Sequence, residues 1–123
     1  MPPTALILLV DDDPAVREMT SELLGLAGHA VVALDSGAAA LARLAGPEPF
    51  DALVTDHQMP GMTGDELIRV VRATRPDFPC LLVTGNREAA NIPTDVTILS
   101  KPFRAAQLAA TLAVLLAEAR RGR

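Results

Sequence analysis

Five short apolar, β-favouring runs, Leu6 to Val10, Ala30 to Leu34, Ala52 to Thr55, Cys80 to Thr84 and Val96 to Leu99, alternate along the chain with five segments of helical character. Runs of this length bounded by turn residues read as strands, and their alternation with helices is the pattern of βα units. Such units place strands parallel and bury them on both faces, which calls for near-continuous aliphatic sequence rather than alternation. The composition agrees: half of the 123 residues are hydrophobic, yet there are three Phe and no Trp or Tyr, so the core must be built from Leu, Val, Ile and Ala. A chain of this length forms a single domain, residues 1–123, and buries roughly two-thirds of the surface its unfolded form exposes.

Local signals mark most of the helices. Asp13 can cap a helix whose first residue is Pro14, after which Val16, Met19, Leu23 and Leu24 recur at helical spacing until Gly28 stops it. Ser36 caps a second helix carrying Leu41 and Leu44, closed by Gly46 and Pro47. Thr63 and Glu66 form a capping box ahead of the stripe Leu67, Ile68, Val71. Only Arg87 to about Asn91 is available for a fourth helix before Pro93 interferes, which predicts one or two turns. The fifth is long, with Leu108, Leu112, Leu115 and Leu116 on one stripe and arginines in its last turn.

Right-handed crossovers reduce the topologies to a three-layer, doubly wound α/β sheet, and a five-stranded one most often has order 2-1-3-4-5, a property of the fold type rather than of any residue here. Ligands of such sheets bind beyond the carboxyl ends of the strands. Those ends are chemically loaded: Asp11-Asp12-Asp13 after the first, Asp56 after the third, Thr84 at the fourth, Ser100-Lys101-Pro102 after the fifth. Carboxylates gathered in a half-dry crevice repel, which raises a pKa or demands a cation. Mg²⁺ answers that demand, since it takes oxygen ligands and keeps several waters. Asp11, Asp12 and Asp56 against Mg²⁺ and Lys101 sum to zero, a site ready for a phosphoryl group. Phosphoryl transfer needs a nucleophile, a metal on the equatorial oxygens and cationic or hydroxyl donors. Asp56 supplies the first, Asp12 with Asp11 the metal ligation, Lys101 a point charge and Thr84 a hydroxyl.

Leu9-Val10-Asp11-Asp12-Asp13-Pro14, Asp56-His57-Gln58-Met59-Pro60-Gly61-Met62-Thr63-Gly64, Val83-Thr84-Gly85 and Lys101-Pro102-Phe103 together resemble the receiver domains of two-component response regulators, in order and over nearly the whole chain. The resemblance implies a flavodoxin-like receiver fold. It implies that Asp56 accepts a phosphoryl group from a histidine kinase or histidine phosphotransfer protein, that Asp11, Asp12 and Asp56 bind Mg²⁺ with the backbone carbonyl of Gln58, and that Thr84 and Lys101 contact the phosphoryl oxygens. It also implies a cis Lys101-Pro102 bond, and control of phosphoryl lifetime by Gln58 and Asn86. Two features depart from the pattern: Ile98 stands where receivers commonly carry Tyr or Phe, and the stretch from Thr84 to Lys101 is short. The usual aromatic switch and dimerisation through the fourth helix are therefore not expected, and the chain is expected to be a monomer. It looks more like receivers of hybrid histidine kinases or stand-alone receivers than like those joined to DNA-binding domains.

The remaining residues have plainer readings. Asp13 is a helix cap, Met59 and Met62 pack, because a hard cation does not favour thioether sulfur, and His29 is structural. Side-chain alternation past the strand turns His57 away from Asp56, toward solvent. Cys80, the single cysteine, lies in an apolar run and reads as inert. A net charge of −4 with dispersed basic residues argues against direct nucleic-acid binding. The apolar opening is too short to span a membrane and lacks a basic segment before it, so a cytoplasmic protein is expected. Three rival functions fit the sequence less well. A haloacid-dehalogenase-like phosphatase would use Asp11-x-Asp13 but needs a cap domain and leaves Asp56 without a role. A flavin or nucleotide carrier would want a glycine-rich loop and stacking aromatics. A pseudo-receiver would not need the intact acidic set. No turnover enzyme is expected.

Overall fold

The computed structural model describes residues 4–85 and 95–121. Its single sheet has five parallel strands, β1 (Leu6–Val10), β2 (Ala30–Leu34), β3 (Ala52–Asp56), β4 (Cys80–Thr84) and β5 (Thr97–Ser100), in the order β2-β1-β3-β4-β5. This is the doubly wound arrangement expected. The described helices are α1 (Pro14–Leu26), α2 (Gly37–Leu44), α3 (Gly64–Thr74) and α4 (Ala105–Arg121). The short helix expected over Arg87 to Asn91 lies outside the described residues, as does Asn86.

Two aliphatic layers sandwich the sheet. On one face Leu8, Val10, Leu53 and Leu82 pack against Ala40 and Leu44 of α2 and Leu67, Ile68 and Val71 of α3, with Met59 buried among them and Met62 partly so. On the other, Ile7, Leu9, Val54, Leu81, Val83 and Leu99 meet Leu24 of α1 and Leu108, Leu112 and Leu116 of α4. Adjacent strand residues thus serve opposite layers, which is why the central strands contain no polar interruption until their carboxyl ends. The parity matters for the site: residues 53, 55 and 57 share the α3 side, whereas Asp56 has the parity of Val54.

The caps form as the local signals required. The Asp13 carboxylate accepts from the N–H groups of Ala15 (2.9 Å) and Val16 (3.3 Å), and Ser36 Oγ accepts from Ala39 (3.2 Å). Thr63 and Glu66 close the capping box on α3. Gly28 leaves α1 at φ 98°, a left-handed conformation that favours glycine. The adjoining His29 accepts a long hydrogen bond from the Ala5 N–H (3.4 Å), the structural part expected of it.

Candidate functional site

Asp11 and Asp12 leave the end of β1, and Asp56 is the last residue of β3, the neighbouring strand. One carboxylate oxygen from each of the three lies within 4.8 Å of the other two. Asp11 is almost wholly buried (4 % exposed), Asp12 is exposed, and Asp56 is intermediate. The loop is held from behind: the Asp13 N–H donates to Asp11 Oδ1 (2.9 Å) and Arg17 Nη1 to the Asp11 carbonyl (2.8 Å). Side chains in one strand-end crevice therefore converge although they are 45 residues apart, which a parallel sheet accomplishes by register alone.

From the far side Lys101 Nζ donates to Asp56 Oδ1 at 2.7 Å. Its backbone N–H continues the ladder to the Thr84 carbonyl (2.9 Å), and the Lys101-Pro102 bond is cis. Asp56, Gln58, Thr84, Gly85 and Lys101 line one cleft, with His57 in its wall. Lys101 reaches one of the three carboxylates, so an excess of negative oxygen remains toward Asp11 and Asp12. The electrostatics register it: burial lifts the Asp11 carboxyl above its ordinary range, the Asp13 N–H opposes that, and the nearby Asp56 charge adds to it. A hard, oxygen-only donor set with uncompensated charge and one exposed side fits a hydrated Mg²⁺ better than a soft or tetrahedral metal.

His57 is the correction. It does not face solvent: it is 6 % exposed, with Nδ1 3.2 Å from Thr84 Oγ1 and Nε2 3.2 Å from Asp65 Oδ1. Alternation does turn it away from Asp56, but the opposite side of the sheet is roofed by α3. Asp65, itself 4 % exposed and 3.7 Å from Arg69 Nη1, was missed by sequence reasoning because an acid in a helix's first turn has an ordinary dipole explanation. The available signal was its neighbour Gly64, whose N–H donates to the His57 carbonyl (2.8 Å). A Cβ on Gly64 would stand 2.2 Å from the Asp56 carbonyl oxygen, so α3 begins in direct backbone contact with the end of β3.

Residues 7–113 match the response regulator receiver domain family. The chain belongs to that family. It is 40% identical over 102 residues to the response regulator receiver protein CpdR of Brucella abortus, covering 79% of this chain and 84% of that protein. It is also 48% identical over 81 residues to the response regulator FleR of Pseudomonas aeruginosa, where it spans only 17% of the relative's length. Among solved structures, a receiver protein from Sinorhizobium medicae superposes with a TM-score of 0.85 at 32% identity, over 94% of this chain and 97% of that one. The receiver domain of a sensor histidine kinase from Pseudomonas aeruginosa, determined with a magnesium ion coordinated in its active-site cleft, superposes with a TM-score of 0.82 at 25% identity, over 94% and 99% of the chains. Receiver domains are signal receivers that interact with histidine kinases or phosphotransfer proteins, and this receiver has no described helix long and apolar enough to cross a membrane.

Proposed function

We propose that this receiver accepts a phosphoryl group on Asp56 from a phosphohistidine of a histidine kinase or phosphotransfer protein. The Asp56 carboxylate forms the new O–P bond as the P–N bond of the donor breaks, and the electron pair leaves on the imidazole. Asp11, Asp12, Asp56 and the backbone carbonyl of Gln58 hold Mg²⁺, which when bound neutralises charge on the phosphoryl oxygens. Lys101 covers the remaining oxygen side as a point charge, and Thr84 offers a hydroxyl proton. Asp11 and Asp12 position and bind; Asp56 alone forms the covalent bond.

The observation that carries this reading is the meeting of the three carboxylates with Lys101 seated on the third. Magnesium in the cleft of the similar kinase receiver supports the same assignment. The chain acts as one receiver domain over 1–123, a cytoplasmic monomer without direct contact to nucleic acid, and does not turn over substrates as a phosphatase would. Incubation with a small phosphodonor and Mg²⁺, followed by intact-mass measurement, tests it. One phosphoryl group is expected on the wild type, and none with a chelator or on Asp56→Asn. Equal labelling of the Asn variant overturns it.

A further inference from the structure

His57 and Asp65 have no part in the chemistry above, yet together with Thr84 they form a chain of side chains buried at 6, 4 and 2 % exposure respectively. The His57 backbone is fixed at both ends, its N–H donating to the Val83 carbonyl (2.9 Å) and its carbonyl accepting from Gly64 (2.8 Å). Its ring therefore has a set place between the end of β4 and the first turn of α3. In the neutral imidazole, Asp65 as a carboxylate can only accept, which puts the ring proton on Nε2 and leaves Nδ1 to accept from the Thr84 hydroxyl. A hydroxyl has one proton to give. A phosphoryl group on Asp56 would bring new acceptor oxygens into the cleft that Thr84 lines, so donation to it and donation to His57 exclude one another.

We propose that His57 is a positioning residue: it holds the Thr84 hydroxyl in the resting protein, and when that proton turns to the phosphoryl group, the loss is passed through Asp65 to the first turn of α3. This rests on the phosphoryl-accepting reading. It supplies an output route on the α3 side that needs no aromatic residue in β5, where Ile98 stands opposite Leu82. A histidine buried only for structure would keep both of its hydrogen bonds whatever occupied the cleft.

Long-range ¹H–¹⁵N spectra of the histidine rings in the full chain, recorded before and after adding Mg²⁺ with beryllofluoride, test it, with ¹⁹F signals reporting binding of the mimic. The resting protein is expected to show Nε2 protonated and Nδ1 as a hydrogen-bonded imine nitrogen. On binding, Nδ1 should move to the position of an unbonded imine, together with the amides of residues 64–67. In Thr84→Val, Nδ1 should start at the unbonded position, and at a mimic concentration raised until ¹⁹F shows the variant loaded it should no longer respond. A protonated Nδ1 at rest, or a wild-type ring and α3 that stay unchanged while ¹⁹F shows the mimic bound, overturns this inference and leaves the phosphoryl reading standing. A response in Thr84→Val equal to that of the wild type also overturns it. Absence of any bound mimic in the wild type counts instead against the phosphoryl reading.

Discussion

Lys101 Nζ and Asp56 Oδ1 lie 2.7 Å apart, joining the loop after β5 to the end of β3 across the width of β4. The contact ties the lysine to one oxygen of the Asp56 carboxylate. On the proposed reading, replacing it by methionine removes a charge that stabilises the transferred phosphoryl group but is not a metal ligand. Lys101→Met should therefore lower the initial rate of phosphorylation by on the order of a hundredfold, the scale of losing one preorganised donor. Mg²⁺ affinity should hold or rise. Rates by intact mass and a Mg²⁺ titration of the same protein check the split; a lost metal site with an unchanged rate would contradict it.

Gly64 is required by contact, not by φ. Because a Cβ there meets the Asp56 carbonyl oxygen at 2.2 Å and a Leu82 methyl at 2.8 Å, Gly64→Ala must push α3 away from β3. A cost of about 1–3 kcal/mol is expected in urea unfolding, the usual range for overpacking. Gly25, inside α1 with open space at its Cβ position, is the contrast: Gly25→Ala should stabilise by about 0.5–1 kcal/mol.

The capping box on α3 depends on pH. The Thr63 N–H (3.1 Å) and hydroxyl (2.8 Å) both donate to Glu66 Oε1, and the backbone N–H first, then the hydroxyl, hold this carboxyl below its usual 4.5. A depressed folded pKa means that the folded chain binds the proton less readily than the unfolded one. The stabilisation is thus present above about 4.5 and is lost as pH falls through the lower folded value. The gap in urea midpoint between wild type and Glu66→Gln should be open at neutral pH and close in acid. A gap that widens in acid would contradict the assignment.

Cys80 is fully buried in β4, and burial pushes its thiol up to about 11. Thiolate, the reactive form, is then scarce at mildly alkaline pH, and reagents lack access. Labelling by a thiol reagent should be negligible in the native protein and should follow global unfolding as urea is raised. Rapid labelling without denaturant would show the strand to be more open than described.

The sheet was legible because its central strands are buried on both faces: aliphatic runs such as Leu6–Val10 and Cys80–Thr84 have the same bounds in the sequence reading and in the structure. β3 runs one residue further than expected, to Asp56, because Asp56 still pairs with Val83, and β5 begins at Thr97, the first residue to pair with β4. Caps were legible because their chemistry is local: Asp13, Ser36 and the Thr63–Glu66 pair each act within a few residues. Strand ends told which carboxylates would meet. What alternation could not tell was what covers each side. His57 was placed on the correct side of β3 and in the wrong medium, since its burial depends on where α3 begins, and that is decided by a backbone approach at Gly64. Asp65 escaped for the same reason, its partner lying across a loop rather than one helical turn away.

On the proposed reading Asp56, and not one of the acids after β1, becomes covalently bound to phosphorus. An acyl phosphate is reduced by borohydride to the corresponding alcohol, so the wild-type protein, phosphorylated with a small donor and Mg²⁺, can be reduced, digested and read by peptide mass spectrometry. An aspartate converted to homoserine is expected at position 56 and nowhere else. Conversion at position 11, 12 or 13 with Asp56 intact would contradict it.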